Sequence, residues 1–332
     1  MNPILLARPS APATRHLQYG LSLIELMIAL TIGMLIMAAL GALLLSITRN
    51  NSELAKANAQ IENGRFAIQL LQSDLVLAGF WGELRPPAPA AISDPCLAVS
   101  PTNWNAVYQA NMLGIPVMGF SSSTVPSTCT TVTGAQANSD ALMVRHANTC
   151  TADSAGCDGG ADTGPHIQVS RCSTGSPPEA AYVIDPTTFP LTNKDCSTIA
   201  DRRKVVSNIY FVSDNTLMRS SLVNGVYQTA QPLVDGIEAL RFEYGIDSTG
   251  DGSPDGPYVS CDPCTLAQLA NVVAVKVHVL ARNLEATSGY TDSKTYQLGG
   301  TDELGSYDDG FKRHVFSTTV RLVNPSGRRE AP

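Results

Sequence analysis

Apolar residues are concentrated near the start of the chain. Leu26 to Ile47 reads LMIALTIGMLIMAALGALLLSI, twenty-two residues without a charge. About twenty apolar residues span a bilayer as a helix, and no other run in the sequence is this long. Beyond it the pattern becomes helical. Leu54, Ala57, Ile61, Gly64, Ile68, Leu71, Leu75 and Ala78 recur at spacings of three and four. Between them lie Asn50, Glu53, Lys56, Gln60, Glu62, Arg65, Gln69 and Asp74. That spacing predicts one buried face of a helix. The helix should end near Gly79–Gly82, ahead of Pro86, Pro87 and Pro89. From Leu21 to Gly79 it would measure about 90 Å. The 54–78 face is expected to pack on the chain's own globular part; the alternative is a coiled-coil seam with another subunit. Gly33, Gly41 and Gly64 either permit close helix approach or are simply tolerated.

Further on, the apolar period shortens to two. Strands are predicted at 141–147, 166–172, 180–185, 204–213, 215–223, 239–247, 272–282 and 314–324. The link SDNTL predicts a hairpin between 204–213 and 215–223. Residues 83–203, rich in Pro, Ser, Thr, Ala and Gly, read as a loop-rich insertion with a few strands, held by disulfides. The fold class is therefore α+β: a long N-terminal helix, half transmembrane and half amphipathic, packed on a mainly antiparallel β-sheet head.

Charge fixes the orientation of the apolar run. Residues 1–20 carry Arg8, Arg15 and His16 and no acid, whereas the residues after the run are mixed in sign. The positive-inside rule places the N-terminus in the cytoplasm and the head outside. A secretory signal peptide does not fit, because the run is too long and lacks a small-x-small cleavage site. A plain membrane anchor leaves Glu25 unexplained. A carboxylate at the edge of hydrocarbon is costly and is functional by default. If the chain is cut after Gly20, Leu21 becomes a positive amino terminus about one helical turn from Glu25. In an assembly, Glu25 could neutralise the amino terminus of a neighbouring chain.

The segment G|LSLIELMIAL resembles the processing site of type IV prepilins and type II secretion pseudopilins, which typically read G|FTLIEL. The resemblance implies cleavage after Gly20 by a membrane prepilin peptidase, methylation of Leu21, and an assembly role for Glu25. Leu21 replaces the usual Phe and Ser22 the usual Thr. Further on, PLVDGIEALRFEYGIDSTGDGSPDGPYV, VVAVKVHVLAR and FSTTVRLVN resemble the PilW type of minor pilin. The implied organisation is a leader (1–20), a transmembrane helix and filament core (21–48), an amphipathic half-helix (49–82), the insertion (83–203) and an antiparallel β-sheet head (204–332). The implied role is a minor pilin of a type IV pilus, acting in the initiation of assembly or in a tip complex. Its partners would be the prepilin peptidase, other minor and major pilins, the inner-membrane assembly platform and, at a tip, an adhesin. It would sit in the inner membrane with a periplasmic head and reach the cell surface on assembly. The alternatives are a J-type type II secretion pseudopilin and, from another class, a membrane-anchored periplasmic enzyme or metal-binding receptor.

All eight cysteines lie beyond residue 90, in the part assigned to an oxidising compartment. Cys261 and Cys264 form a CxxC, expected to close a local disulfide; a redox or half-zinc site shares that spacing. Cys150 and Cys157 bracket another short loop. Asp247, Asp251 and Asp255 occupy loop positions 1, 5 and 9 with Gly252 at the sixth, as in an EF-hand loop. Calcium is the one candidate cofactor, although Tyr258 stands where the bidentate Glu belongs. The alternative is a solvated Gly/Asp turn. A second segment bearing Asp153, Asp158 and Asp162 lacks ligand spacing.

Composition narrows the classes further. Gly at 26 of 332 residues excludes collagen, and 44% hydrophobic content disfavours disorder. A net charge of −7 and 6% aromatics disfavour nucleic-acid binding. The sequence has no GxSxG, HExxH, P-loop or GxGxxG. Catalysis is not expected, and no cofactor is required.

Overall fold

The computed structural model describes Gly20, residues 22–152, Ser154, Cys157, and residues 163–174, 178–260, 262–300 and 303–330. The chain falls into two units, Met1–Leu54 and Ala55–Pro332. Helix α1 (Leu23–Leu77) starts in the first and ends in the second.

In the first unit, every residue from 22 to 50 is exposed. The run contains no proline, and its Leu, Met and Ala residues favour helix. Two threonine hydroxyls turn back into the helix: Thr31 Oγ1 donates to Ile28 O and Thr48 Oγ1 to Leu44 O, both at 2.9 Å.

In the second unit, α1 buries Gln60, Gly64, Ala67, Leu71, Asp74 and Leu75. This corrects the predicted face. Leu54 and Ile61 are exposed, and two polar residues belong to the buried stripe instead. Gln60 Nε2 donates to Ala281 O and Lys312 O at 2.8 and 3.0 Å. Asp74 meets His146 and Asn208 at 2.8 and 3.0 Å. Paired in this way, polar groups can take buried positions that a hydrophobic pattern would assign to apolar ones. At Gly64 a β-carbon would stand inside the Phe316 ring, so the glycine admits that aromatic against the helix. The helix ends with Gly79 at φ +71°, whose amide donates to Arg145 O at 2.9 Å. Asn324 Nδ2 lies 3.3–3.4 Å from the carbonyls of Val76, Leu77 and Ala78 and covers the helix end.

The head then runs through α2 (Ala106–Gly114), β1 (Val117–Ser121), β2 (Asp140–Ala147), β3 (His166–Val169), β4 (Tyr182–Asp185), β5 (Arg202–Ser213), β6 (Thr216–Val223), β7 (Val226–Tyr227) and β8 (Gln231–Asp235). It continues with β9 (Ile237–Ile246), α3 (Leu266–Ala270), β10 (Val272–Arg282), β11 (Tyr296–Gln297), β12 (Glu303–Leu304), β13 (Arg313–Arg321) and α4 (Val323–Glu330). Among the described residues the larger sheet has eight strands in the order β1-β2-β5-β3-β4, with β6 also on β5 and carrying β7 and β8. A three-stranded sheet follows the order β13-β10-β9. The strand pairings are antiparallel. The β5–β6 hairpin turns through Asp214 and Asn215, both at positive φ, as a two-residue primed turn requires.

Ala67, Leu71 and Leu75 of α1 share one core with Leu142 and Val144 of β2, Ile209 and Phe211 of β5, and Val275 and Val277 of β10. A second cluster gathers Trp81, Trp104, Met112, Leu113, Ile167 and Val205. The segment expected to be a loop-rich insertion contributes β1 to β4 to the larger sheet, so it is part of the head. Disulfides Cys96–Cys129, Cys150–Cys157 and Cys172–Cys196 tie its connecting loops. The strand predicted to reach residue 324 stops at Arg321, and the chain turns into α4.

Candidate functional site

The start of α1 is built from four consecutive residues, Ser22 to Glu25. The Ser22 amide donates to Glu25 Oε2 at 3.0 Å, and the Glu25 amide donates to Ser22 Oγ at 3.3 Å. Leu26 N reaches Ser22 O at 3.1 Å and closes the first turn. This reciprocal pair is a capping box, in which each side chain accepts the other residue's orphan backbone amide at the helix start. It holds the Glu25 carboxylate at the positive end of the helix dipole. Both residues are exposed, as is Gly20. Leu21 and residues 1–19 of the leader lie outside the described residues. The S-x-x-E spacing carried the capping signal in the sequence, where Ser22 was read only as a replacement for Thr.

The acidic loop of the head has a different geometry from the one its spacing suggested. Asp247 is buried, and its carboxylate accepts the amides of Gly250 and Gly252 at 2.6 and 2.9 Å and the Arg329 guanidinium at 3.2 Å. Burial raises its carboxyl, but those amides and Arg329 outweigh burial and hold it below the ordinary range. Asp255 instead accepts the amides of Ser248 and Thr249 at 2.7 and 2.8 Å, which lower its carboxyl in turn. Asp251 accepts the Ser253 amide at 2.8 Å. The three carboxylates serve three separate sets of amides and do not converge. Among the described residues no group of three or more His, Cys, Asp or Glu is arranged to hold a metal. The loop is a self-capped turn anchored to α4 through Arg329. Cys264 is disulfide-bonded, whereas Cys261 lies outside the described residues, as do Asp153, Asp158 and Asp162.

Two family models match the sequence at separate places. Residues 15–41 match the prokaryotic N-terminal methylation motif. Residues 204–324 match the type IV pilus-assembly protein W family. The chain is type IV pilin-like, with a PilW domain and an N-terminal methylation motif. No curated protein matches the chain. Among solved structures, a type IV-like pilin from Thermus thermophilus, TTHA1219, is similar at 13% identity and a TM-score of 0.35, covering 80% of this chain and 97% of its own.

The N-terminal match spans Gly20, Leu21, Glu25 and the start of the apolar run. The PilW match begins within β5 and ends just after β13. It includes the head's most polar interior feature, Arg313. The Arg313 guanidinium donates to Asp292 at 2.9 Å, to both Asp309 oxygens at 2.7 Å and to Glu238. Burial opposes its charge, but these three carboxylates raise its pKa. Sequence reading passed over this group because its members lie up to 75 residues apart. The arginine fastens the 283–312 segment to the three-stranded sheet.

Proposed function

We propose that this pilin is a minor subunit of a type IV pilus, acting at the initiation of assembly or in the tip complex. The observation that carries the reading is the capping box at Ser22 and Glu25, set immediately before the uncharged, exposed run Leu26–Ile47. The carboxylate is oriented before any partner is present. Removal of the leader after Gly20 would free the Leu21 amine beside it. In a filament, Glu25 would exchange the Ser22 amide for the amino terminus of a neighbouring pilin, so that both charges enter the apolar core neutralised. The prepilin peptidase is the processing partner in this reading, and the inner-membrane platform and other pilins are the assembly partners. The β-rich head would face the periplasm first and the cell surface after assembly. A head of this size suits a tip position better than a repeating shaft, where an adhesin would be its further contact.

The test is incorporation into filaments. Glu25→Ala should leave the protein membrane-bound and folded but absent from sheared pili, with pilus number reduced. Normal incorporation of Glu25→Ala would overturn the proposal.

A further inference from the structure

The last turn of α4 and the proline-rich segment after α1 enclose a cleft of about 510 Å³. A volume of this order accommodates a small ligand or a short peptide. Three arginines line it, Arg85, Arg328 and Arg329, and no carboxylate does. This is the reverse of the chain's overall acidic balance. Arg329 is engaged by Asp247, Ala270 O and Asn271. Among the described residues the other two cations have no carboxylate partner. Arg328 is half-buried and gives one hydrogen bond, to Gly79 O at 2.9 Å. Arg85 is exposed and forms no hydrogen bond or ion pair among the described residues. Burial, and then the nearby charges of Arg329 and Arg85, lower the Arg328 pKa. Lining one cleft, the three like charges repel one another.

The rest of the lining is mixed: Pro87, Pro89 and Pro325 are apolar and conformationally restricted, and Asn271 adds a polar side chain. The proline walls exclude water from a bound side chain and strengthen its pairing with the arginines. Guanidinium groups match carboxylates in planar, two-pronged geometry. A tetrahedral anion would fill only part of the space.

We infer that this cleft is a docking site for an acidic peptide segment of a partner protein, with glutamate or aspartate carboxylates seated on Arg85 and Arg328. The site stands on the head alone and does not depend on the role proposed for Glu25.

The test uses the full-length protein in uncharged detergent micelles at low salt. Acetyl-Glu-Gly-Glu-amide is titrated by calorimetry, alongside acetyl-Gln-Gly-Gln-amide and sodium phosphate. The glutamate peptide should bind saturably at one site, weaken as salt is added and bind more tightly than phosphate, and the glutamine peptide should give no binding. Arg85→Glu should weaken binding by at least about fivefold without lowering Tm, because Arg85 makes no hydrogen bond or ion pair among the described residues and the change relieves its repulsion of Arg328. Arg85→Ala should give an intermediate loss. The inference is overturned by any of four results: no saturable binding, equal binding of the glutamine peptide, phosphate binding as tightly as the peptide, or unchanged affinity in Arg85→Glu.

Discussion

Asp74 and His146 meet at 2.8 Å in the interior of the head, joining α1 to β2. The second ring nitrogen of His146 lies 2.8 Å from Ala147 O, and Asn208 supplies a further donor to Asp74. The helix is thus fixed to two neighbouring strands by one carboxylate. Replacing it leaves His146 and Asn208 buried without their acceptor. Asp74→Ala should cost about 1–3 kcal/mol in chemical denaturation for each buried donor left without its acceptor. A loss below about 1 kcal/mol would show that the pair does not anchor the helix.

Gly64 fits the same helix against the smaller sheet. A methyl group there must displace the Phe316 ring. Gly64→Ala should therefore destabilise the head by about 1–3 kcal/mol, although alanine is the better helix former by about 1 kcal/mol. The paired change Gly64→Ala with Phe316→Leu should recover part of the loss. Thermal unfolding of the four variants in a cycle reads this directly.

Asp247 predicts a pH dependence. Its folded pKa is depressed, so its contribution is present above the unfolded value of about 3.9 and is lost as pH falls through the lower folded value. Asp247→Asn should cost about 1–3 kcal/mol at neutral pH. The gap between wild type and variant should close on acidification below that window. A gap independent of pH would contradict the charge-based account.

The same loop predicts a weak response to calcium. Asp247, Asp251 and Asp255 are each directed at amides of the turn, and Arg329 already supplies the positive charge beside Asp247. Calcium chloride should leave Tm unchanged and give no binding heat with the full-length protein. A saturable rise in Tm that Asp251→Ala abolishes would reverse this reading.

Local chemistry made part of this structure legible in advance. The apolar run and the Gly-x-x-x-x-Glu spacing are contiguous, and so are the Asp214–Asn215 turn and the alternation along β10. Each is determined by residues a few positions apart. Features that depend on distant partners were not legible. Gln60 and Asp74 look like surface residues until Ala281, His146 and Asn208 arrive from the sheets. Helix α4 contains Pro325 and Gly327, which read as helix breakers, yet Asn324 and Arg329 tie it to α1 and the Asp247 loop. Strand β1, VMGFS, alternates too briefly to stand out, and it is buried by its pairing with β2. The acidic loop illustrates another limit. Its spacing was that of a cation site, but spacing does not specify where carboxylates point, and main-chain amides took them.

The account rests on Gly20, Leu21 and Glu25 acting as a processed pilin terminus. Intact-mass and N-terminal peptide mass spectrometry of the mature protein, isolated from cells with an active prepilin peptidase, tests this most directly. The predicted result is a chain that begins at N-methyl-Leu21. A chain that retains residues 1–20 would contradict it.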